Sequence, residues 1–362
     1  MPGQPAAPDR PPPLQMPGLR TSAAMGTFLL LLFTGLFLAR GFVLPILIAV
    51  ILSLLLSPVV RALTRLRIPE SLGAFLVIVG FLVALGVVTV RLAGPAASWM
   101  EETPRHLRTI EYRLRHLKEP MEKVARASKQ VEELADMDGE EPRVTPVEVR
   151  ESRLSTILLS GTREFLATSV AVLILLYFLL ASGDLFLRKL VVMLPTLRDK
   201  RRAVEVAQQV QREVSRYLLA VTVINAGLAA VVSVALALLG MPNPVLWGVL
   251  AGLLNYVPFI GPVVTFSVIT VVSLLSFDSA GRALVVPLVY GAINFTEGNL
   301  MTPLLLGRHL VLNPVAIFVA LMFWGWLWGI PGALLAVPLL AIFKIICDNL
   351  APLQPLGEFL GR

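Results

Sequence analysis

The chain has 362 residues, 56% of them apolar and only 15% charged, against about 25% charged in soluble domains. A mean hydropathy of +0.79 over that length excludes an ordinary soluble globule, which must cover its core with polar surface. The formal charge of +7 does not point to nucleic acid, because the basic residues cluster in short loops between apolar runs and no basic stripe with interleaved aromatics would track a phosphate backbone.

Residues 1–20 carry prolines from Pro2 to Pro17 with Gly and Gln between them, which predicts a disordered cytoplasmic tail. The apolar stretch 21–39 is longer than a signal-peptide core and is followed at once by Arg40 and a second apolar run, so it reads as a retained first helix. Stretches 41–60 and 72–90 are each near the ~20 residues needed to cross hydrocarbon. Between them Arg61, Arg65 and Arg67 face Glu70 alone, which predicts a cytoplasmic loop and a cytoplasmic amino terminus. Residues 21–100 thus hold three spans.

From Glu101 the composition turns charged, and 101–160 is predicted to be an extramembrane helical segment on the outer side. Leu107, Ile110, Leu114, Leu117, Met121, Val124 and Val131 fall on an alternating 3,4 spacing interrupted by Ser128, with Leu134 following, the pattern of an a/d seam. Pro120 should kink this helix. The seam either packs on the protein's own outer face or joins a neighbouring copy. The acidic run 137–146 ends it.

Residues 161–350 form the predicted transport core. A fourth span at 165–183 leads to a basic loop with Arg188, Lys189, Arg198, Lys200, Arg201 and Arg202, again cytoplasmic. Val204, Ala207, Val210, Val214 and Tyr217 then share one helical face, which predicts a helix lying along the inner membrane surface before it turns in. No charged residue lies between Arg216 and Asp278. After a fifth span at 217–240, the apolar runs 245–255 and 263–277 are short and flank Asn255, Tyr256, Pro258, Gly261 and Pro262. That pattern reads as a re-entrant hairpin or a discontinuous helix, whose freed backbone groups have to be buried in protein or line a wet cavity. A proline-kinked structural helix pair is the alternative.

The next span, from Ala283, carries Asn294, Glu297 and Asn299, with Gly291, Asn294, Gly298 and Met301 on a 3,4 spacing. An ionisable side chain inside an apolar span is a functional hypothesis by default. The other reading of Glu297 is a membrane-edge residue that caps a helix or pairs with Arg308. Pro303 and Gly307 break the chain again, and His309 reads as interfacial. A second charge-free block, 310–343, is split by Gly329, Pro331 and Gly332 into two arms, with Trp324, Trp326 and Trp328 before the break. Residues 351–362 form a short tail, read as cytoplasmic.

Catalytic signatures do not emerge. His106, His116 and His309 are isolated from one another, so no His-Glu-x-x-His pair exists, and no phosphate-cradling P-loop occurs. The single cysteine, Cys347, excludes an intrachain disulfide and a cysteine-cluster metal site. Neither enzyme activity, a metal nor a cofactor is expected.

Three blocks carry a resemblance: 250–262 around Asn255-Tyr256-Val257-Pro258; Glu297-Gly298-Asn299 with Thr302-Pro303 and Gly307-Arg308; and Trp324-Gly325-Trp326-Leu327-Trp328-Gly329 with 334–338. In these the chain resembles the autoinducer-2 exporter family of bacterial permeases, over about residues 25–350. Tyr177-Phe178-Leu179-Leu180 matches too, but Ser182-Gly183-Asp184 stands where family members usually carry Asp-Gly. The resemblance implies an all-α, polytopic inner-membrane protein of about eight spans with broken helices, self-associating, that moves a small solute outward or exchanges cations for protons.

Three functions follow as expectations. The first is a secondary transporter exporting a small polar solute such as a quorum-sensing signal, with Asn255, Tyr256, Asn294, Glu297 and Asn299 lining the path. The second is a sodium/proton antiporter using Glu297 as shared proton and cation ligand. The third is a membrane scaffold without transport, which the Pro/Gly breaks at membrane depth argue against. The expected partners are the lipid bilayer, a small-molecule or ion substrate, and further copies of the chain in a homo-oligomer.

Overall fold

A computed structural model describes residues 19–129, 151–183, 189, 191–193, 196–306 and 312–361, and gives the helical path alone at 19–23, 29, 100–129, 151–165 and 351. Among the described residues the chain is helical with no strand. It divides at Pro45 into two compact units. The first, ending at Leu44, carries α1 (Leu19–Leu38) and the start of α2 (Arg40–Arg65), with the Arg40 guanidinium over the Phe37 ring.

In the second unit α2 continues into a tight turn. The Arg67 amide bonds to Thr64 O and the Ile68 amide to Leu63 O, with Arg67 at φ 67°. This is a Schellman cap in which arginine holds the left-handed position usually given to glycine. Then α3 (Glu70–Lys129) and α4 (Glu151–Ala181) pack with α2 through Ala49, Val60, Ala74, Val77, Ile78, Val172, Leu176 and Leu180. The 72–90 span and the expected outer helix belong to one element, for α3 runs on through Gly94-Pro95 and Pro120. The side chains of the 107–124 seam, and Val131, Leu134 and 137–146 altogether, lie outside the described residues.

α5 (Leu197–Leu238) starts at Thr196, whose hydroxyl oxygen accepts from the Asp199 amide at 3.1 Å. Its 42 residues reach about 63 Å, twice the ~30 Å hydrocarbon thickness. All its charges precede Tyr217, so the amphipathic stretch and the fifth span are one helix, with no turn between them. No Gly or Pro interrupts the sequence at Arg216 to permit one. α5 is also fastened to α2. Pro58 has no N–H to offer Leu54 O, and the buried Ser215 hydroxyl donates to that oxygen at 2.5 Å.

Gly240, at φ 76°, closes α5 with a second Schellman pair, Gly240 N to Ala237 O and Met241 N to Leu236 O. Four helical pieces follow: α6 (Pro244–Leu254), α7 (Ile260–Ser276), α8 (Ala280–Thr296) continued by a π-helical turn at Glu297–Met301, and α9 (Thr302–Leu306). Leu228, Val232, Leu236, Trp247, Ala251, Ile269, Val272, Val286 and Tyr290 bind α5 to α8 into one core, with Trp99 of α3 edge-on to Trp247.

α10 (Pro314–Asn349) is two arms, because Gly329 takes φ 68°, ψ −144°, a region open essentially to glycine alone. The Asn313 amide bonds to Leu360 O, and Gly357 abuts the Asp348 carboxylate. Both ends of α10 therefore meet α11 (Gln354–Leu360), a helix about 10 Å long. The arms fold back on each other, with the break at Gly329 as the tip.

Among the described residues four helical stretches are long and apolar enough to cross a membrane: Arg40–Arg65, Glu70–Trp99, Leu197–Leu238 and Pro314–Asn349. Shorter apolar helices are Ala24–Leu38, Leu166–Ala181, Pro244–Leu254 and Ile260–Ser276. The molecule is an all-α, polytopic helical membrane protein with broken segments.

Candidate functional site

The site grows from the contact of α5 with α6. Gly248 and Gly252 stand four residues apart, and a side chain on either would strike the facing helix. A Cβ at Gly248 would fall 2.5 Å from Ala229 O, and one at Gly252 would fall 2.6 Å from Asn225 O. Small residues let membrane helices approach this closely. The approach brings the end of α6 against the polar positions of α5. Asn255 Nδ2 donates to Asn225 Oδ1 at 2.9 Å, and the Tyr256 hydroxyl donates to Thr222 Oγ1 at 3.0 Å, while Thr222 donates to Leu218 O. Asn225 is 3% exposed and its own Nδ2 is buried with no hydrogen-bond partner.

The five residues after α6 reverse the chain through a strained point. Phe259 sits at φ 65°, ψ −52°, and the Ile260 amide reaches back to Pro258 O at 2.7 Å, the geometry of a γ-turn that L-residues rarely adopt. Gly261 is held against the Leu254 carbonyl, where a Cβ would lie 1.9 Å from the oxygen. Pro262 opens α7, where a missing N–H does no harm. Thr265 donates to Gly261 O at 2.9 Å, and Phe266, next along α7, lies ring to ring 6.5 Å from the buried Tyr290 of α8. The tip is thus tied to α5 on one side and α8 on the other, and Phe259 lies edge-on to Phe318 of α10.

A second polar feature lies where α8 ends. The Thr302 amide bonds to Glu297 O across a π turn, and Thr302 Oγ1 donates to Glu297 Oε1 at 2.6 Å. Pro303 explains the widened turn, since it has no N–H for Asn299 O, and π turns gather at functional sites. Glu297 is half-buried. Its partner among the described residues is Thr302; Gly307, Arg308 and His309 lie outside them. Asn294 Nδ2 is buried without a partner. Asn299 is exposed and returns its amide to Phe295 O, and Gly298 has open space about it. Both this turn and α6 pack on α5.

The second hairpin adds shape. Gly332 abuts the Trp324 carbonyl and Trp328 stacks at 4.6 Å on Trp324, while Gly329 and Pro331 form an exposed tip. Among the described residues no three His, Cys, Asp or Glu side chains gather to hold a metal.

Of the residues singled out in the sequence, Asn255 and Tyr256 therefore join one polar cluster, Glu297 forms another with Thr302, Asn294 keeps an unanswered amide, and Asn299 faces outward. Thr222 and Asn225 were missed. Their signal was present, an asparagine three residues from a threonine within a charge-free span.

The family model for AI-2E family transporters matches residues 27–351. The chain is 28% identical over 353 residues to the AI-2 transport protein TqsA of Escherichia coli K12, covering 97% of this chain and 98% of that one. It is 26% identical over 333 residues to a candidate transport protein, YhhT, of the same organism, covering 92% of each. A candidate transport protein of Borreliella burgdorferi is 30% identical over 205 residues, 54% of each chain.

Proposed function

The chain belongs to the AI-2E transporter family, a membrane transporter therefore, and from that premise we propose that it is a secondary exporter of a small polar solute such as a quorum-sensing signal. The solute passes beside the hairpin tip at Asn255 and Tyr256. The observation that carries this reading is the unanswered Asn225 amide. A buried donor without an acceptor costs about 1–3 kcal/mol, and a solute oxygen arriving there relieves that cost. The donor also bears on the class of solute, for an N–H group selects an acceptor such as a hydroxyl or carbonyl oxygen and repels a cation. Asn294 supplies a second donor of the same kind. The name of the Escherichia coli relative, an AI-2 transport protein, supports the same class. The site sits in an inner-membrane protein with both termini cytoplasmic, which assembles as a homo-oligomer.

A second reading, sodium/proton exchange, draws on Glu297, a half-buried carboxylate on a π turn in an apolar span. Liposomes holding the purified chain separate the two. The export reading expects solute flux that persists without sodium; proton flux that appears only with a sodium gradient would replace it with the exchange reading.

A further inference from the structure

A cavity of about 710 Å³ lies away from the hairpin, between α2, the start of α3, the end of α4 and the charged half of α5. Its walls grade from apolar to basic along α2. Along α2, Val50 and Leu54 line one end and Arg61 and Thr64 the other, and Leu179 of α4 with Gln208, Gln211 and Arg212 of α5 complete the lining. The hydroxyls on this wall are already engaged: Ser53, Ser57 and Thr64 donate to Val50 O, Leu54 O and Arg61 O of their own helix. The donors left to a ligand are therefore the two guanidiniums and the two carboxamides. Among the described residues Arg61 reaches only Ser57 Oγ, at 3.4 Å, and neither arginine forms an ion pair. The one carboxylate on the wall among the described residues, Glu70, is lodged against Gly183.

We propose that this cavity is a binding site for a phosphate-bearing anion, the headgroup of an anionic phospholipid such as phosphatidylglycerol, with its acyl chains along the Val50–Leu54 stretch of α2. Three features support a lipid. The cavity grades from polar to apolar as an amphiphile does, the arginines fall in the segments whose charge bias places them at the inner leaflet, and basic pockets between membrane helices bind anionic headgroups. Arginine suits the task because its planar fork meets phosphate oxygens in pairs. The site is independent of the transport pathway, sharing no residue with it.

The test uses the full chain in neutral detergent, followed by thermal unfolding and by native mass spectrometry, with phosphatidylglycerol, phosphatidylcholine and inorganic phosphate as separate additions. The expected result is a raised unfolding midpoint and retained adducts with phosphatidylglycerol and not with phosphatidylcholine. The doubly substituted Arg61→Gln, Arg212→Gln chain should bind it roughly 30-fold more weakly, two basic contacts being lost, while Arg65→Gln, outside the cavity, should bind as wild type. An equal shift from inorganic phosphate alone, lost in the same double variant, supports the anion site and assigns it to a soluble phosphate. Equal adducts from the two lipids, or an undiminished phosphatidylglycerol preference in the double variant, overturns the proposal.

Discussion

At the scale of single residues, the chain spends its small and polar side chains where two helices meet. Gly252 has no room for a methyl group, its Cβ falling 2.6 Å from Asn225 O and 2.9 Å from Ala229 Cβ. Overpacking against backbone costs about 1–3 kcal/mol, so Gly252→Ala is expected to lower the unfolding midpoint in detergent and to weaken the Asn255–Asn225 bond with it. Gly298→Ala, with nothing within 4 Å, is expected to be silent by the same measurement. Glu297 supports a different experiment. Glu297→Gln keeps an oxygen for the Thr302 hydroxyl but removes the titration. If Glu297 is a coupling acid, the variant inserts and folds yet loses pH-dependent flux; wild-type flux and pH response in it would leave Glu297 as the residue that caps the π turn.

At the scale of elements, much was legible. The Pro and Gly pattern placed both breaks, at Asn255–Pro262 and at Gly329–Gly332, because the backbone has few ways to accommodate those residues in a helix. What could not be read was continuity: nothing in a local pattern says that the amphipathic face before Arg216 and the span after it are one helix, or that α3 runs on past Pro120. The α5–α6 contact was also hidden, since which glycines face a neighbour depends on tertiary packing. The breaks yield two expectations. Gly329→Ala should cost about 1–3 kcal/mol by forcing a Cβ into a glycine-only conformation, seen as lost stability, whereas Gly325→Ala, whose Cβ would meet only Ala333 at 3.8 Å, should be tolerated. In a Cys347→Ser background, cysteines at Val257 and Ile260 should react with small hydrophilic thiol reagents, because the proposed pathway brings water to the hairpin tip. Complete protection of both would favour a dry, kinked helix pair.

At the scale of the whole second unit, α5 is the post on which both hairpins hang. Near its start, Asn349 donates to Gln209 and Arg202 donates to Asn349 O, so the base of the α10 hairpin lies beside the charged half of α5. At its far end the Gly240 turn launches α6 in the reverse direction, and the tip of that hairpin returns to Thr222 and Asn225. The two hairpins therefore approach from opposite ends of α5, and Phe259 at one tip touches Phe318 near the other's base. Half-length arms with broken tips are how membrane transporters bring backbone and amide groups to a solute at depth. The motif blocks that carry the resemblance fall on this part of the chain, within a family match that spans residues 27–351, while the substrate could not be read, because orphan donors define a chemistry and not a molecule.

The measurement closest to the central claim is gradient-driven efflux of a small polyhydroxylated solute from liposomes carrying the full chain, compared with Asn225→Ala. If the Asn225 amide greets the solute, wild-type flux proceeds without sodium and the variant, folded by thermal unfolding, loses about tenfold of it, the worth of one buried hydrogen bond. Flux unchanged in Asn225→Ala, or absent from the wild type unless sodium and protons move instead, would contradict the account.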